Sequence, residues 1–193
     1  VDQMKDLGWR QGRHEDYDRQ RCMMSDDVYE FIIATQPQEW EKFRDSQGDD
    51  AKESLLQRIY TVVSDRGTIA VLRKGIEHLG CHFNMCYFPP SSGLNEESRR
   101  LFESNVLTVV RQVRYSVHNE KSIDIVLFVN GLPIFTAELK NPLTGQDFYD
   151  AVSQYKNDRD SKGEPFLQFG RCLAHFAVDP NIVQVTTKLE GRK

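Results

Sequence analysis

Residues 122–140 read SIDIVLFVNGLPIFTAELK, and the way this stretch folds decides the architecture. Two apolar runs rich in Val, Ile and Phe flank Asn130-Gly131, a dipeptide that tolerates the positive φ angles of a tight turn. The spacing predicts a β-hairpin. Asp124, Glu138 and Lys140 stand near its two ends, in strands otherwise apolar on both sides. Ionic groups buried there without partners are costly, so they require mutual pairing, a metal or a cleft.

Parity decides whether the three groups meet. Glu138 and Lys140 are two apart in a strand, so they share a face about 7 Å apart along the chain. A two-residue turn would pair 129 with 132 and set Asp124 opposite Ala137, on the wrong face for Glu138. A three-residue loop, Val129-Asn130-Gly131 with Gly131 left-handed in a bulge, pairs 128 with 132 and sets Asp124 opposite Thr136. The second register puts Asp124, Glu138 and Lys140 together and is the one expected here. It leaves Ile123, Ile125, Leu127, Phe135, Ala137 and Leu139 as a charge-free face suited to packing. The other face carries Val126, Phe128 and Ile134 at one end and the ionic groups at the other.

Two carboxylates converging from neighbouring strands make an oxygen-rich site suited to Mg²⁺ or Mn²⁺. Such an ion acidifies a bound water and neutralises charge on a phosphoryl group, and a neighbouring lysine can orient the attacking water. The implied chemistry is phosphodiester hydrolysis. The plainer alternative is that charges at strand ends simply meet solvent.

Outward from the hairpin, VLTVVRQVRYS is β-branched enough for a strand and NEESRRLFESN reads as a short helix before it. NPLTGQ reads as a loop, DFYDAVSQYKNDRD as an amphipathic helix, and RCLAHFAVDPNIVQVTTKL as two short strands broken at Asp179-Pro180. Upstream, Leu55, Leu56, Ile59, Val62 and Val63 recur at helical spacing and stop at Gly67. Thr68 to Leu79 is expected to continue helically, and CHFNMCYF to form a strand. MKDLGW reads as a helix ending at Gly8, and the charged RQGRHEDYDRQR as a stretch running out to solvent.

With 193 residues, 39% hydrophobic and 28% charged, the chain holds enough core material to fold, which excludes a disordered tail. A net charge of −4 argues against a uniformly basic DNA-binding surface, though not against a local basic groove. The first residues lack a signal peptide's apolar core and no window reaches the roughly 20 apolar residues of a membrane span, so a soluble, cytoplasmic protein is expected. Cys81 and Cys86, with His82 beside them, invite a zinc reading, but no second ligand pair follows at finger spacing, and ordinary thiols are expected. No Gly-x-x-x-x-Gly-Lys-Ser/Thr segment occurs.

Asp124, thirteen intervening residues and then Glu138-Leu139-Lys140 resemble the PD-(D/E)xK nuclease motif, with Ile123 in place of the proline. With AVSQYKNDR and RCLAHFAVDPNIVQVTTKLEG beyond it, the segment from about Val106 to Gly191 resembles the N-terminal nuclease domain of the restriction (HsdR) subunit of type I restriction-modification enzymes. The resemblance implies an α/β fold with a mixed central sheet flanked by helices. Residues 1–94 would be a helical, loop-rich N-terminal part and 95–193 the nuclease core. It further implies cleavage of double-stranded DNA with Mg²⁺, Mn²⁺ being a substitute, in a complex with methylation and specificity subunits. An ATP-driven motor would lie elsewhere in a longer subunit, in keeping with the missing P-loop.

Carried over by position, Asp124 and Glu138 are metal ligands, the Leu139 carbonyl a further ligand candidate, and Lys140 the catalytic lysine. The family's Gln-x-x-x-Tyr pair is matched only at Gln154, since Asp158 stands four residues on and the tyrosine is Tyr155. Gln154, Tyr155, Lys156 and Arg159 are candidates for contacting DNA or supporting the site. Glu30, Glu53 and Glu103 are candidate substitutes for an extra carboxylate ligand. Arg111 and Arg114 could line a groove, Tyr115 and Phe169 could stack on bases, and His118 and His175 read as structural. The alternatives are a non-cutting DNA-binding or assembly module of the same complex and a stand-alone RecB-like repair nuclease.

Overall fold

The computed structural model describes residues 2–91, 95–140, 153, 155 and 163–189. A short helix α1 (Asp2–Lys5) leads into strand β1 (Arg10–Gly12), followed by helices α2 (Ser25–Thr35), α3 (Pro37–Gln47), α4 (Ala51–Arg66) and α5 (Thr68–Lys74). A small hairpin, β2 (Ile76–His78) and β3 (Cys81–Phe83), precedes helix α6 (Glu96–Glu103). Strands β4 (Leu107–Arg114), β5 (Ser122–Val129), β6 (Leu132–Leu139), β7 (Ala174–Val178) and β8 (Val183–Thr186) complete the α-helices and strands of the described residues. The main sheet runs β1-β4-β5-β6-β7-β8, with β1/β4 and β6/β7 parallel and the other neighbours antiparallel. The expected mixed α/β architecture is therefore present. The loop read at NPLTGQ and the helix read over residues 147–160 lie outside the described residues, apart from Ser153 and Tyr155.

Two expectations for the N-terminal half are corrected. The stretch beginning RQG does not run out to solvent: Arg10–Gly12 is an edge strand beside β4, and Tyr17 and Cys22 are buried further on. Its charge is absorbed locally, because the Arg10 guanidinium donates to Asp27 at 2.7 Å and to Glu30 at 2.8 Å, while Thr108 Oγ1 donates to Asp27 at 2.5 Å. Helix α5 also ends early, at Gly75 (φ +67), where a β-carbon would lie 2.3 Å from the Phe83 carbonyl oxygen. The chain turns there into β2, and of CHFNMCYF only Cys81–Phe83 is strand.

The amphipathic faces of α2 to α5 build one core cluster, centred on Phe31, Ile32, Phe43, Leu55 and Ile59, and Leu132 and Ile134 of β6 belong to it. A second cluster joins Val110, Val113, Ile123, Val126 and Phe128 of the sheet to Tyr17, Tyr155, Phe166 and Leu167. Thr68 Oγ1 donates to the Arg171 carbonyl at 2.6 Å, and the Arg171 guanidinium donates to Ser64 Oγ at 2.7 Å, tying the α4–α5 junction to the approach to β7.

The central hairpin turns differently from expectation. Val129 pairs with Leu132, and Asn130 (φ +49) and Gly131 (φ +80) form a two-residue turn of type I′ geometry rather than the three-residue loop. Phe128 then pairs with Pro133, but Leu127 pairs with Phe135, so Ile134 is an extra residue in β6, a β-bulge one step from the turn. The turn itself is anchored: Asn130 is buried, its Oδ1 accepts the Val106 N–H at 2.6 Å, and its Nδ2 donates to Asn105 Oδ1 at 2.8 Å and the Met85 carbonyl at 3.0 Å. Gly131 abuts the start of α2, where a β-carbon would lie 2.4 Å from the Met24 carbonyl oxygen. Gly131→Ala should therefore destabilise the chain by roughly 2–4 kcal/mol, from left-handed strain and overpacking together, a loss read as a lower urea midpoint at unchanged m-value.

Candidate active site on the central hairpin

The bulge restores the parity that the turn removes. From Leu127–Phe135 the ladder runs through Val126–Thr136 to Ile125–Ala137, and continuing that register brings Asp124 opposite Glu138 rather than Thr136. That register would set Asp124 and Glu138 on one face, the arrangement expected of the three-residue loop, by a different route. Beyond the last pair the Asp124 side chain takes over the partner strand's amide, and its Oδ2 accepts the Leu139 N–H at 2.8 Å. Its Oδ1 accepts from Gln112 Nε2 at 2.9 Å.

The face carrying the ionic groups is the more buried one. Val126, Phe128, Thr136 and Glu138 are buried, Glu138 at 1% exposure, while Asp124 and Lys140 are half-buried at the rim. The charge-free face expected to pack does so in part, since Leu127 and Phe135 pack against the helical cluster, but it is the less buried of the two. Ile125, Leu127, Phe135 and Ala137 are only half-buried and line a shallow groove with Met4 and Phe176, and Leu139 is exposed. Ile123 departs from that face and lies in the buried cluster with Val126 and Phe128.

Next to Glu138 the buried face is polar but satisfied. Thr136 Oγ1 lies 2.8 Å from the Tyr155 hydroxyl and 2.7 Å from His175 Nδ1, and the Tyr155 and His175 rings pack 5.8 Å apart. Tyr155, one of the candidates for contacting DNA or supporting the site, is thus buried and hydrogen-bonded to the strand that carries Glu138. Burial drives the His175 imidazole down to about 4, because the charged form would lose its hydration. Lys140 is set by its backbone N–H, which donates to the Val178 carbonyl at 2.8 Å. Gln154, Lys156 and Arg159 lie outside the described residues.

Asp124 and Glu138 offer oxygen donors of the kind a hard cation takes, while among the described residues no group of three or more His, Cys, Asp or Glu side chains gathers. Both oxygens of Asp124 accept neutral donors, and among the described residues no Lys or Arg forms an ion pair with it. The second carboxylate, Glu138, falls on the same face in the continued register. The three candidate substitute carboxylates are committed elsewhere: Glu30 to Arg10, Glu53 to Arg21 and Glu103 to Arg99. The contact with Arg10 is at the Thr108 end of β4, away from Gln112.

Of the remaining candidates, Arg111 is exposed, whereas Arg114 pairs with Glu120 at 3.1 Å. Tyr115 is buried and stacks on Phe166, while Phe169 is 74% exposed. The backbone N–H of His118 donates to Ser116 Oγ at 2.9 Å. Cys81 is buried and Cys86 half-buried, and burial raises the Cys86 thiol to about 11. Sequence reading misses Gln112 altogether and, for His175, only its partner. Gln112 carried no motif, and its left-handed φ is a tertiary feature; His175 was read as structural, without its link to Thr136. Pro133 was a usable signal for the bulge, since proline in a central strand is confined to such irregularities.

The sequence model of the family described as Type I restriction enzyme R protein N terminus matches residues 3–193. No curated protein matches the chain. Among the described residues no helix is long and apolar enough to cross a membrane.

His175 yields a pH prediction. Its folded-state value is depressed from 6.5 to about 4, so the unfolded chain binds the proton first and stability falls as pH drops from 6.5 towards 4. Over that window the metal-free protein should lose about 3 kcal/mol more than His175→Gln does, measured as denaturation midpoints against pH.

Proposed function

The chain belongs to the family of type I restriction enzyme R protein N termini, and from that premise and the hairpin geometry we propose that it is a Mg²⁺-dependent endonuclease domain that cleaves double-stranded DNA. What supports this reading is the register of β5 and β6, which, continued past Ile125–Ala137, brings Asp124 opposite Glu138, with Lys140 two residues further along the chain. Asp124 and Glu138 would hold the metal, with the Leu139 carbonyl as a further ligand. Mg²⁺ supplies charge neutralisation at the phosphate and acidifies a bound water. Mn²⁺ would serve in its place.

The residues divide the remaining work. Asp124 is fixed from two strands, by Gln112 and by the Leu139 N–H, so its carboxylate needs little reorganisation to act as a ligand. Glu138 is held rigidly in the sheet opposite Ala177. Lys140, set by its hydrogen bond to Val178, orients the attacking water and offsets charge developing on the phosphoryl oxygens. Tyr155 and His175 keep Thr136, and with it the strand, in register behind the carboxylate. Gln154, Lys156 and Arg159 are proposed to meet phosphate or base. In this reading the methylation and specificity subunits are partners and choose the DNA sequence, and the ATP-driven motor belongs to the full subunit.

The test is relaxation and linearisation of plasmid DNA in Mg²⁺, with calorimetric titration of Mn²⁺. Asp124→Ala should lose cutting by about 100-fold or more and lose metal binding, whereas Lys140→Ala should lose cutting to a similar degree and still bind Mn²⁺. Metal binding through Asp124 without any cutting would favour a non-cutting DNA-binding or assembly module, and absence of both would end the nuclease reading.

A further inference from the structure

We infer that Gln112 is a positioning residue for the metal site, holding the Asp124 carboxylate in its ligating orientation through its side-chain amide; this rests on the metal reading above. The ladder pairs Arg111 with Ile125 and Val113 with Ile123, and between them Gln112 turns to φ +52. A glutamine in the left-handed region inside a strand is disfavoured, and glycine or asparagine would occupy that conformation more easily. Departures of this kind gather where the side chain has a task that outweighs the strain.

The task is visible in the hydrogen bonds. Ser122 Oγ donates to Gln112 Oε1 at 2.9 Å, which fixes the amide's orientation and aims Nε2 at Asp124 Oδ1, also at 2.9 Å. The opposite oxygen, Oδ2, is held by the Leu139 N–H at 2.8 Å. One donor therefore reaches each oxygen from each neighbouring strand, and the carboxylate plane is set from both sides. Both donors are neutral, so they orient the group without cancelling the charge that a cation needs. Supporting hydrogen bonds of this kind are typically worth 10- to 100-fold in metal affinity. Glycine at 112 would relieve the backbone and remove the amide, while asparagine would keep a left-handed-tolerant backbone with an amide one methylene too short for the bridge.

The experiment is calorimetric titration of Mn²⁺ into the 193-residue chain and its Gln112→Gly, Gln112→Asn and Asp124→Asn variants, with metal-free thermal melts of each. The expected result is affinity weakened about 10-fold or more in both Gln112 variants, with at least one of them melting no lower than the parent. Affinity within about twofold of the parent in a folded Gln112 variant overturns the inference and leaves the metal reading standing. If both Gln112 variants lose their cooperative melts, the amide serves the fold and the positioning role is rejected. If the parent binds no Mn²⁺, or binds it equally well as Asp124→Asn, the metal reading itself fails and this inference with it.

Discussion

Side chains in a strand alternate with a period of two, so the number of residues between a turn and a site decides whether two strands present their groups to one face or to opposite faces. Here the turn contributes the wrong parity and Ile134 contributes one residue more. Pro133 sits next to it, on β6 before pairing with β7 begins at Phe135, and there its missing N–H interrupts no ladder bond. Without the extra residue Glu138 would point to the half-buried outer groove, away from Asp124. The convergence of the two carboxylates depends on that one insertion.

The turn and the bulge are held by different parts of the chain. Asn130 is satisfied by Val106, Asn105 and Met85, and Gly131 is pressed against the first turn of α2. Ile134 is buried in the helical cluster, and its carbonyl accepts the Leu173 N–H at 2.8 Å. The N-terminal helices therefore act on the site at a distance: they do not supply its carboxylates, but they fix the tip from which register is counted. This also accounts for the edge strand β1, whose arginine is neutralised against Asp27 and Glu30 where helix and sheet meet.

The ionic face is the buried one because polar partners are built in behind it. Thr136, Tyr155 and His175 satisfy one another, and Glu138, two residues along the same strand, is buried at 1% exposure. Asp124 at the rim is less buried and is restrained by hydrogen bonds instead.

Much of this was legible in the chain alone. The two strands of the hairpin, helix α4 with its stop at Gly67, the capped helix α6 and the break at Asp179-Pro180 follow from local patterns of apolar spacing, turn residues and proline. Asp124, Glu138 and Lys140 also stand out in the chain alone, because charges in apolar strands need an explanation. Tertiary structure decided what local pattern underdetermines. It chose between a loop of three residues and a turn of two followed by a bulge, because buried anchors for Asn130 and a close contact at Gly131 favour the tighter turn. It set the ionic face inward, because the partners of Thr136 come from residues 19 and 39 positions away. It also placed Gln112 against Asp124, since a left-handed residue in a strand is stabilised by contacts that no neighbouring residue in sequence announces.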